Sequence, residues 1–196
     1  EQILSNEAVA RAAKLRAKRL SDRFHVYTDG GSAKRVLEYI HHVREIRSRS
    51  SELQSTIFFE SFYGTSATCN PFALDREIST RYPELPRFWS VTNESVSVPP
   101  GAIPILIGSP EWEWVRRTSR LLIVNDWLRF NFRRRRGQFV LQTWHGTPLK
   151  RLALDRPERS LRTTLAILRE SRRWNVLLTQ NQHATTVLGR SYRMRH

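Results

Sequence analysis

Residues 139–150 of this 196-residue chain have the sequence FVLQTWHGTPLK, in which a short apolar run leads directly into a polar loop. Residues 139–141 fit a buried strand, and Gly146 and Pro148 interrupt any regular structure after it. His145 is therefore predicted to project from a tight loop at the carboxyl end of a strand. A buried strand that ends in a polar loop is a building block of α/β folds.

The same pattern recurs on both sides of this stretch. Short apolar runs alternate with helical stretches, which is typical of a mostly parallel sheet covered by helices. The predicted strands are 56–59, 88–91, 103–107, 121–124, 139–141 and 176–178. The predicted helices are 70–82, 111–120, 161–173 and 183–190. Together these elements predict an α/β fold with a Rossmann-like sheet.

The first 51 residues have a different character from the rest. Residues 5–20 are rich in Ala, Leu and Arg, and 34–47 form a second predicted helix that ends in the polar run SRSS at 48–51. We therefore predict a basic helical segment over 1–51 and one Rossmann-like domain over 52–196.

Composition limits the possible functions. Cys69 is the only cysteine, so the sequence offers no intrachain disulfide and no paired Cys/His set for a metal. It shows neither a signal peptide nor a run of 18 apolar residues, so any membrane contact is predicted to be peripheral, from the cytoplasm. The net charge of +15 favours anionic partners, and it is also typical of an Arg-rich proteome.

The residues around His145 suit phosphate chemistry. An imidazole that titrates near neutral pH is a natural general base for a hydroxyl nucleophile. Gly146 allows close approach to the backbone, Thr147 can donate a hydrogen bond, and Lys150 supplies a compact cation. We predict that these residues bind phosphate with His145 as the catalytic base, although a single histidine taken by itself is more often structural.

A second polar loop follows the first predicted strand. Ser61 and Tyr63 offer hydroxyl groups to a substrate, and Gly64 permits a tight turn. Glu60 is included among the predicted site residues as a candidate for orienting His145, although a carboxylate at a strand end is more often a simple cap. A capped loop with buried aromatic rings, Phe62 among them, is the alternative interpretation for this segment.

Most of the positive charge lies between Arg116 and Arg173, where 16 basic residues face 4 acidic ones. The run Arg133, Arg134, Arg135 and Arg136 forms its centre. Two interpretations stay open for this run, a solvated surface loop and a contact with an anionic membrane or another polyanion. Phe130 and Phe132 would supply the apolar part of a membrane contact.

Several stretches together resemble one known family. The longest is VLQTWHGTPLKRL at 140–152, and the others are ESFYG at 60–64 with Asn70 and Pro71, Asn125 with Asp126, and Trp174-Asn175 followed by TQN at 179–181. In order and spacing they resemble the CDP-glycerol glycerophosphotransferases, the poly(glycerol phosphate) polymerases of teichoic acid synthesis. The resemblance covers about residues 55–194.

This resemblance implies the acceptor-side half of a GT-B transferase. In such an enzyme His145 would deprotonate a hydroxyl of a lipid-linked polyol-phosphate acceptor, which attacks CDP-glycerol. Trp144 would line the substrate site, and no cofactor is required. The enzyme would work at the cytoplasmic face of the cell membrane. The donor-binding half would lie beyond His196, so we expect this chain to be one part of a longer polypeptide and inactive alone.

Two other functions remain as alternatives. A basic nucleic-acid-binding module would fit the sequence pI of about 11.3. The sequence contains no RNA-binding strand motif and no zinc spacing, so we do not expect nucleic acid as the partner. The acceptor half of a different nucleotide-sugar GT-B transferase would have the same fold. The chain contains no phosphate-binding glycine-rich fingerprint of kinases or dehydrogenases.

Overall fold

The computed structural model of the protein describes residues 30–38, 53–129 and 132–194, together with Lys14 and Lys18. Six strands in these residues are β1 (Gln54–Glu60), β2 (Arg87–Val91), β3 (Ile103–Leu106), β4 (Ser119–Val124), β5 (Phe139–Gln142) and β6 (Val176–Leu177). They form one parallel sheet in the order β3-β2-β1-β4-β5-β6. This is the strand order of a Rossmann-like sheet, and the predicted fold class is confirmed.

Four α-helices connect these strands or follow them: α1 (Cys69–Arg81), α2 (Pro110–Thr118), α3 (Leu161–Ser171) and α4 (Gln182–Tyr192). Each lies where the sequence predicted one. The helix predicted over 111–120 ends earlier, because Ser119 and Arg120 already belong to β4. Ser119 pairs with Gln54 across the sheet, and its hydroxyl group lies 2.9 Å from that of Thr56.

Alternating side chains of each strand fill two cores, one on each face of the sheet. Phe58 and Leu122 point to the face covered by α2, α3 and α4, where Trp112, Ile167 and Leu188 are buried. Phe59 and Ile123 point to the opposite face, where α1 and the helical residues 32–38 contribute Leu74, Ile78 and Leu37. Burial on both faces explains why the central strands are continuous apolar runs.

The sequence also determines where the helices begin. Ser109 accepts a hydrogen bond from the Trp112 N–H at 3.1 Å, and Pro110 takes the first helical position of α2. Ser160 and Asn181 cap α3 and α4 in the same way. These caps satisfy backbone N–H groups in the first turn of each helix and so define where it begins.

Only part of the predicted N-terminal segment falls among the described residues. Residues 32–38 are helical, as are Lys14 and Lys18, but the remainder of the two predicted helices and the boundary near residue 51 lie outside them. The division into a segment over 1–51 and a domain over 52–196 stays a prediction. None of the helices in the described ranges combines the length and apolar character needed to cross a bilayer.

Candidate functional site

The carboxyl ends of β1, β4 and β5 bring three loops together at one edge of the sheet. We call residues 61–64 the β1 loop and residues 143–150 the β5 loop; Asn125 and Asp126 follow β4 between them. The strand order changes direction beside β1 and β4, which is the place where ligands bind in open α/β sheets.

His145 lies at the centre of this edge with its ring partly open to solvent. Its side chain is 42% exposed. The Trp144 ring stacks on it with centroids 5.6 Å apart and planes 8° from parallel, and the Phe62 ring lies 5.3 Å away at a tilt of 57°. Two aromatic neighbours therefore fix the imidazole while leaving part of it accessible.

Asp126 is the carboxylate that faces His145. Its Oδ1 lies 3.7 Å from Nε2 of His145, which is beyond hydrogen-bond distance but close enough to attract an imidazolium. Burial raises the pKa of Asp126, and the charge of His145, the Tyr63 backbone N–H and Arg129 act against that rise. The Asp126 carboxylate can therefore attract positive charge on the His145 ring.

The β5 loop is fixed by side chains that bond to its backbone. The buried amide of Gln142 accepts from the Trp144 N–H at 2.8 Å and donates to the Asp126 carbonyl at 2.9 Å. Asn70, at the start of α1, donates to the carbonyls of Thr143 and Trp144 at 3.0 and 3.1 Å. These bonds stabilise Trp144 in a left-handed conformation, with φ at 52°, and so aim the following histidine.

The second half of the β5 loop presents polar groups to solvent. With its amide nitrogen facing the Gly146 carbonyl, the Gln180 side chain donates to that carbonyl at 2.9 Å and accepts from the Gly146 N–H at 3.2 Å. His183 Nε2 lies 3.2 Å from the Pro148 carbonyl. Thr147 and Lys150 are exposed. The loop is thus tied to α4 while its hydroxyl group and cation remain accessible.

The β1 loop is closed to solvent where the sequence predicted substrate contacts. Ser61 is fully buried: its hydroxyl group donates to the Thr68 carbonyl at 3.0 Å and accepts from the Asn125 amide at 3.1 Å. The same Asn125 side chain accepts from the Phe62 N–H at 2.9 Å. Ser61 therefore holds the loop together, and its predicted contact with a substrate is wrong for this structure.

Gly64 is also a structural position. Its φ is +79°, and a Cβ there would lie 2.6 Å from Ile107 Cδ1 and 3.1 Å from the Ser90 carbonyl. The glycine lets the β1 loop pack against the ends of β2 and β3. The prediction of a tight turn is confirmed, but the residue does not face a ligand because these neighbours cover it.

Glu60 does not orient His145. Its carboxylate is buried and accepts a hydrogen bond from Ser90 at 2.7 Å, and the Trp112 indole donates to Ser90 at 2.8 Å. Burial raises the pKa of Glu60. Asp126 occupies the place that the sequence assigned to Glu60, because the pleat turns this last residue of β1 towards the α2 side of the sheet.

Tyr63 lies half-buried beside the site. The guanidinium of Arg129 sits 4.0 Å from the centre of its ring, and burial raises the pKa of its hydroxyl group. Its backbone has φ at 52°, which presents the N–H to Asp126. A contact between Tyr63 and a substrate stays a prediction.

The four consecutive arginines lie away from His145. Gln138 donates to the carbonyls of Arg116 and Ser119, which places the end of this segment at the amino end of β4. Arg133, Arg134 and Arg136 are exposed, and Arg135 is half-buried. Their contact with a membrane or polyanion stays a prediction.

Phe132 does not supply an apolar membrane contact. The ring is buried, and Arg116, itself buried, stacks between it and Trp112 at 5.0 and 4.4 Å. Phe130 lies outside the described residues. The prediction of an interfacial Phe132 is therefore wrong, since the ring belongs to the core on the α2 side.

Four residues of this site were not predicted from their own sequence context: Asp126, Asn70, Gln180 and His183. The available signals were that Asn70, Asp126 and Gln180 occur in the stretches that carry the family resemblance, and that Asp126 and Gln180 follow predicted strands, where ligands are expected to bind. As arranged, the site holds one accessible imidazole with a carboxylate behind it and a lysine on the same loop. This arrangement can accept a proton from a hydroxyl group next to a phosphate.

Comparison with known proteins identifies the family of the chain. The family model for CDP-glycerol:poly(glycerophosphate) glycerophosphotransferases matches residues 45–196. The teichoic acid poly(glycerol phosphate) polymerase of Bacillus subtilis strain 168 is 32% identical over 154 residues, which covers 74% of this chain and 20% of that protein. The enzyme of the same name from Staphylococcus epidermidis is 31% identical over 146 residues, which covers 71% of this chain and 20% of that protein.

The fold is also that of a solved structure, the wall teichoic acid polymerase TagF. The TM-score is 0.69 at 24% identity, over 86% of this chain and 45% of that chain. At this identity the likeness shows the fold alone. The chain spans about a fifth of the length of the two curated relatives and less than half of the TagF chain.

Proposed function

The chain belongs to the CDP-glycerol:poly(glycerophosphate) glycerophosphotransferase family, and from that membership we propose that it forms the acceptor side of a polyol-phosphate transferase. The donor would be CDP-glycerol or another CDP-activated polyol, and the acceptor a lipid-linked polyol phosphate in teichoic acid or related polymer synthesis. The observation that carries the proposal is the accessible imidazole of His145, clamped between Trp144 and Phe62 and backed by Asp126.

In this reaction His145 takes the proton from the terminal hydroxyl group of the acceptor. The acceptor oxygen attacks the β-phosphorus of the CDP-activated donor, a phosphodiester bond forms, and the bond from that phosphorus to the CMP oxygen breaks. CMP leaves with the electron pair, and the proton stays on the imidazole until solvent removes it. Phosphoryl transfer requires mainly positioning and charge neutralisation from a protein, and the rigid β5 loop suits that requirement.

Asp126 would act through His145. Nε2 of His145 faces the Asp126 carboxylate at 3.7 Å, and no hydrogen bond among the described residues occupies Nδ1. Nδ1 is therefore the nitrogen that would receive the acceptor proton. The resulting imidazolium would be attracted to the carboxylate, as in other His-carboxylate pairs.

The exposed part of the β5 loop would bind phosphate. Lys150 would neutralise phosphoryl charge, and Thr147 would donate a hydrogen bond. Gly146 lies in open space, with no atom within 4 Å of a Cβ built on it, so a ligand can approach its backbone. Trp144 and Tyr63 would line the acceptor side, Trp144 chiefly by holding the imidazole.

The lipid-linked acceptor would place the enzyme at the cytoplasmic face of the membrane, as a peripheral protein. The donor would be bound by residues outside this chain. A different nucleotide-sugar donor would leave the same acceptor-side geometry in place, so donor identity is the point at which the proposal is open to direct test.

The test uses the full-length protein with an acceptor that carries a lipid-linked glycerol phosphate. CDP-glycerol, CDP-ribitol and UDP-glucose are supplied separately, and release of CMP or UDP is measured with and without the acceptor. We expect acceptor-dependent CMP release from a CDP-polyol and no UDP release. Acceptor-dependent UDP release without CMP would contradict the proposal and favour a sugar transferase.

A further inference from the structure

A cavity of about 440 Å³ lies between the β4–β5 connection and the end of α3. We call it the arginine pocket; its lining residues are Phe132, Arg133, Arg134, Arg169, Arg172 and Arg173. Five of these six residues are arginines, and no carboxylate from the described part of the chain lines the cavity. Such a concentration of positive charge in a concave surface attracts anions strongly.

One wall of the pocket is rigid. Arg173 is largely buried, forms an ion pair with Glu170 at 2.6 Å and donates a hydrogen bond to the Leu128 carbonyl. Glu170 also accepts from the Leu128 N–H at 2.7 Å and from the Trp174 indole at 3.2 Å. The Glu170 carboxylate is thus fully engaged beneath the wall by Arg173, Leu128 and Trp174.

The remaining wall presents cations to solvent. Arg133, Arg169 and Arg172 are exposed, and none of them forms a side-chain hydrogen bond or ion pair with the other described residues. Like charges held this close repel each other unless an anion binds between them. A guanidinium matches phosphate oxygens with two parallel hydrogen bonds, so a phosphate group is the anion that this pocket fits.

The pocket is separate from the His145 site. Gln138 ties the arginine segment to the carbonyls of Arg116 and Ser119, at the amino end of β4, and Arg173 lies just before the start of β6. His145 follows the carboxyl end of β5. A strand of six residues such as β4 is roughly 20 Å long, so a phosphate in the pocket cannot be the one that reacts at His145.

We propose that the arginine pocket is a second phosphate-binding site, which takes a phosphate group attached to a polyol. That group belongs either to a soluble polyol-phosphate chain or to an anionic lipid headgroup. The site holds its ligand at the amino edge of the sheet while the carboxyl edge remains open for chemistry. The polyol part of the ligand rests on the proposed function, whereas phosphate binding depends on the pocket alone, so the proposal is tested by binding.

The experiment compares two triple variants of the full-length protein that lose the same charge. The pocket variant carries Arg133→Ala, Arg169→Ala and Arg172→Ala. All three residues are exposed, and alanine favours the helical position, so the variant is expected to fold. A single charge reversal in the loop, Arg133→Glu, serves as a second variant of the pocket.

The control variant removes three exposed arginines from other surfaces, Arg76→Ala, Arg117→Ala and Arg156→Ala. One arm of the experiment titrates each protein with a short synthetic glycerol phosphate oligomer by calorimetry. The other arm measures sedimentation with vesicles of phosphatidylglycerol and phosphatidylcholine. Both are run at physiological salt, because weak electrostatic binding is screened there.

We expect the pocket variant to weaken binding by about tenfold or more in at least one arm, and the control variant to change it by less than about twofold. Loss in the oligomer arm identifies a polyol-phosphate chain as the ligand, and loss confined to the vesicle arm identifies a lipid headgroup. Equal affinities of the pocket and control variants in both arms would overturn the proposal, as would absence of binding by the wild type.

Discussion

The β1 loop and the β5 loop leave the same edge of the same sheet, but they differ in what they expose. The β5 loop presents a histidine that is 42% exposed, whereas the β1 loop buries Ser61 completely and packs Gly64 against Ile107. Asn125 and Asp126 lie between them. The Asn125 side chain bonds to the β1 loop, and the Asp126 carboxylate faces His145. The β5 loop exposes the proposed base, and the β1 loop packs beside it.

This difference teaches that a polar strand end is not by itself a site. The Ser61 hydroxyl group in the β1 loop and the Glu60 carboxylate just before that loop already have protein partners, so they are not available to a substrate. In the β5 loop the backbone is satisfied by Gln142 and Asn70, and the side chains of His145 and Lys150 stay accessible. Variants that change one loop should therefore affect activity, and variants that change the other should affect stability.

Among changes to the residues that join the two loops, Asp126→Asn should have the largest effect on activity. We expect kcat for CMP release to fall roughly ten- to a hundred-fold, because a misplaced catalytic group costs up to about 10²-fold in rate. The change should appear in kcat more than in KM. Asp126→Glu should recover part of the lost rate, and Glu111→Gln, which removes an exposed carboxylate on α2, should match the wild type.

The same variant carries a stability prediction with a definite sign. Burial raises the pKa of Asp126 in the folded protein, so its stabilising contribution is present below the unfolded pKa and is lost as pH rises through the folded value. Asp126→Asn should therefore not lower the unfolding midpoint at neutral pH. If Asp126→Asn instead lowered the unfolding midpoint at neutral pH by enough to explain the loss of rate, Asp126 would be only structural.

Gly64→Ala should act on stability. Its Cβ would lie 3.1 Å from the Ser90 carbonyl oxygen, a backbone atom, and 2.6 Å from Ile107 Cδ1, the movable end of a side chain, in a backbone conformation with φ at +79°. Strain and overpacking together should cost roughly 3 kcal/mol in the free energy of unfolding. Gly108→Ala is the matched control, since Gly108 has φ at +86° but nothing within 4 Å of a Cβ; it should cost only about 1 kcal/mol. Urea unfolding measures both, and equal costs would show that the β1 loop is not tightly packed.

Asp155→Asn should have the smallest effect. Asp155 accepts hydrogen bonds from Arg190 at 2.8 Å and from Ser191 at 2.6 Å, which connect the chain after the β5 loop to α4. These bonds lower the pKa of Asp155, so its contribution is present above the unfolded pKa and is lost as pH falls through the folded value.

The thermal midpoint of Asp155→Asn should be slightly lower than that of the wild type at neutral pH. The difference should shrink when the pH falls below the ordinary Asp value of about 3.9. A difference that stays constant through this range would assign the effect to packing and not to the charge.

The sequence was sufficient for the strands and helices because their signals are local. Apolar runs bounded by turn residues located all six strands, and the caps at Ser109, Ser160 and Asn181 mark real helix starts. The predicted end of α2 was wrong by two residues, since parallel pairing of Ser119 with Gln54 was not visible in the helix itself.

The candidate site was predictable only where exposure is a local property. Gly146 and Pro148 force a loop after His145, and the structure describes that loop as predicted. The partners of the loop come from far along the chain, such as Asn70 and Gln180, and their pairing depends on the strand order. The burial of Glu60 and Gly64 likewise depends on β2 and β3, and that of Ser61 on Thr68 and Asn125, which come together only after folding.

The most direct measurement is single-turnover CMP release from the CDP-activated donor by the full-length protein and its His145→Gln variant, at saturating acceptor. Glutamine keeps a polar group beside Trp144 but cannot accept a proton. We predict a fall in rate of at least about 10²-fold, the contribution typical of a general base, with an unchanged unfolding midpoint. A variant rate within a few-fold of the wild type would contradict the assignment of His145 as the base.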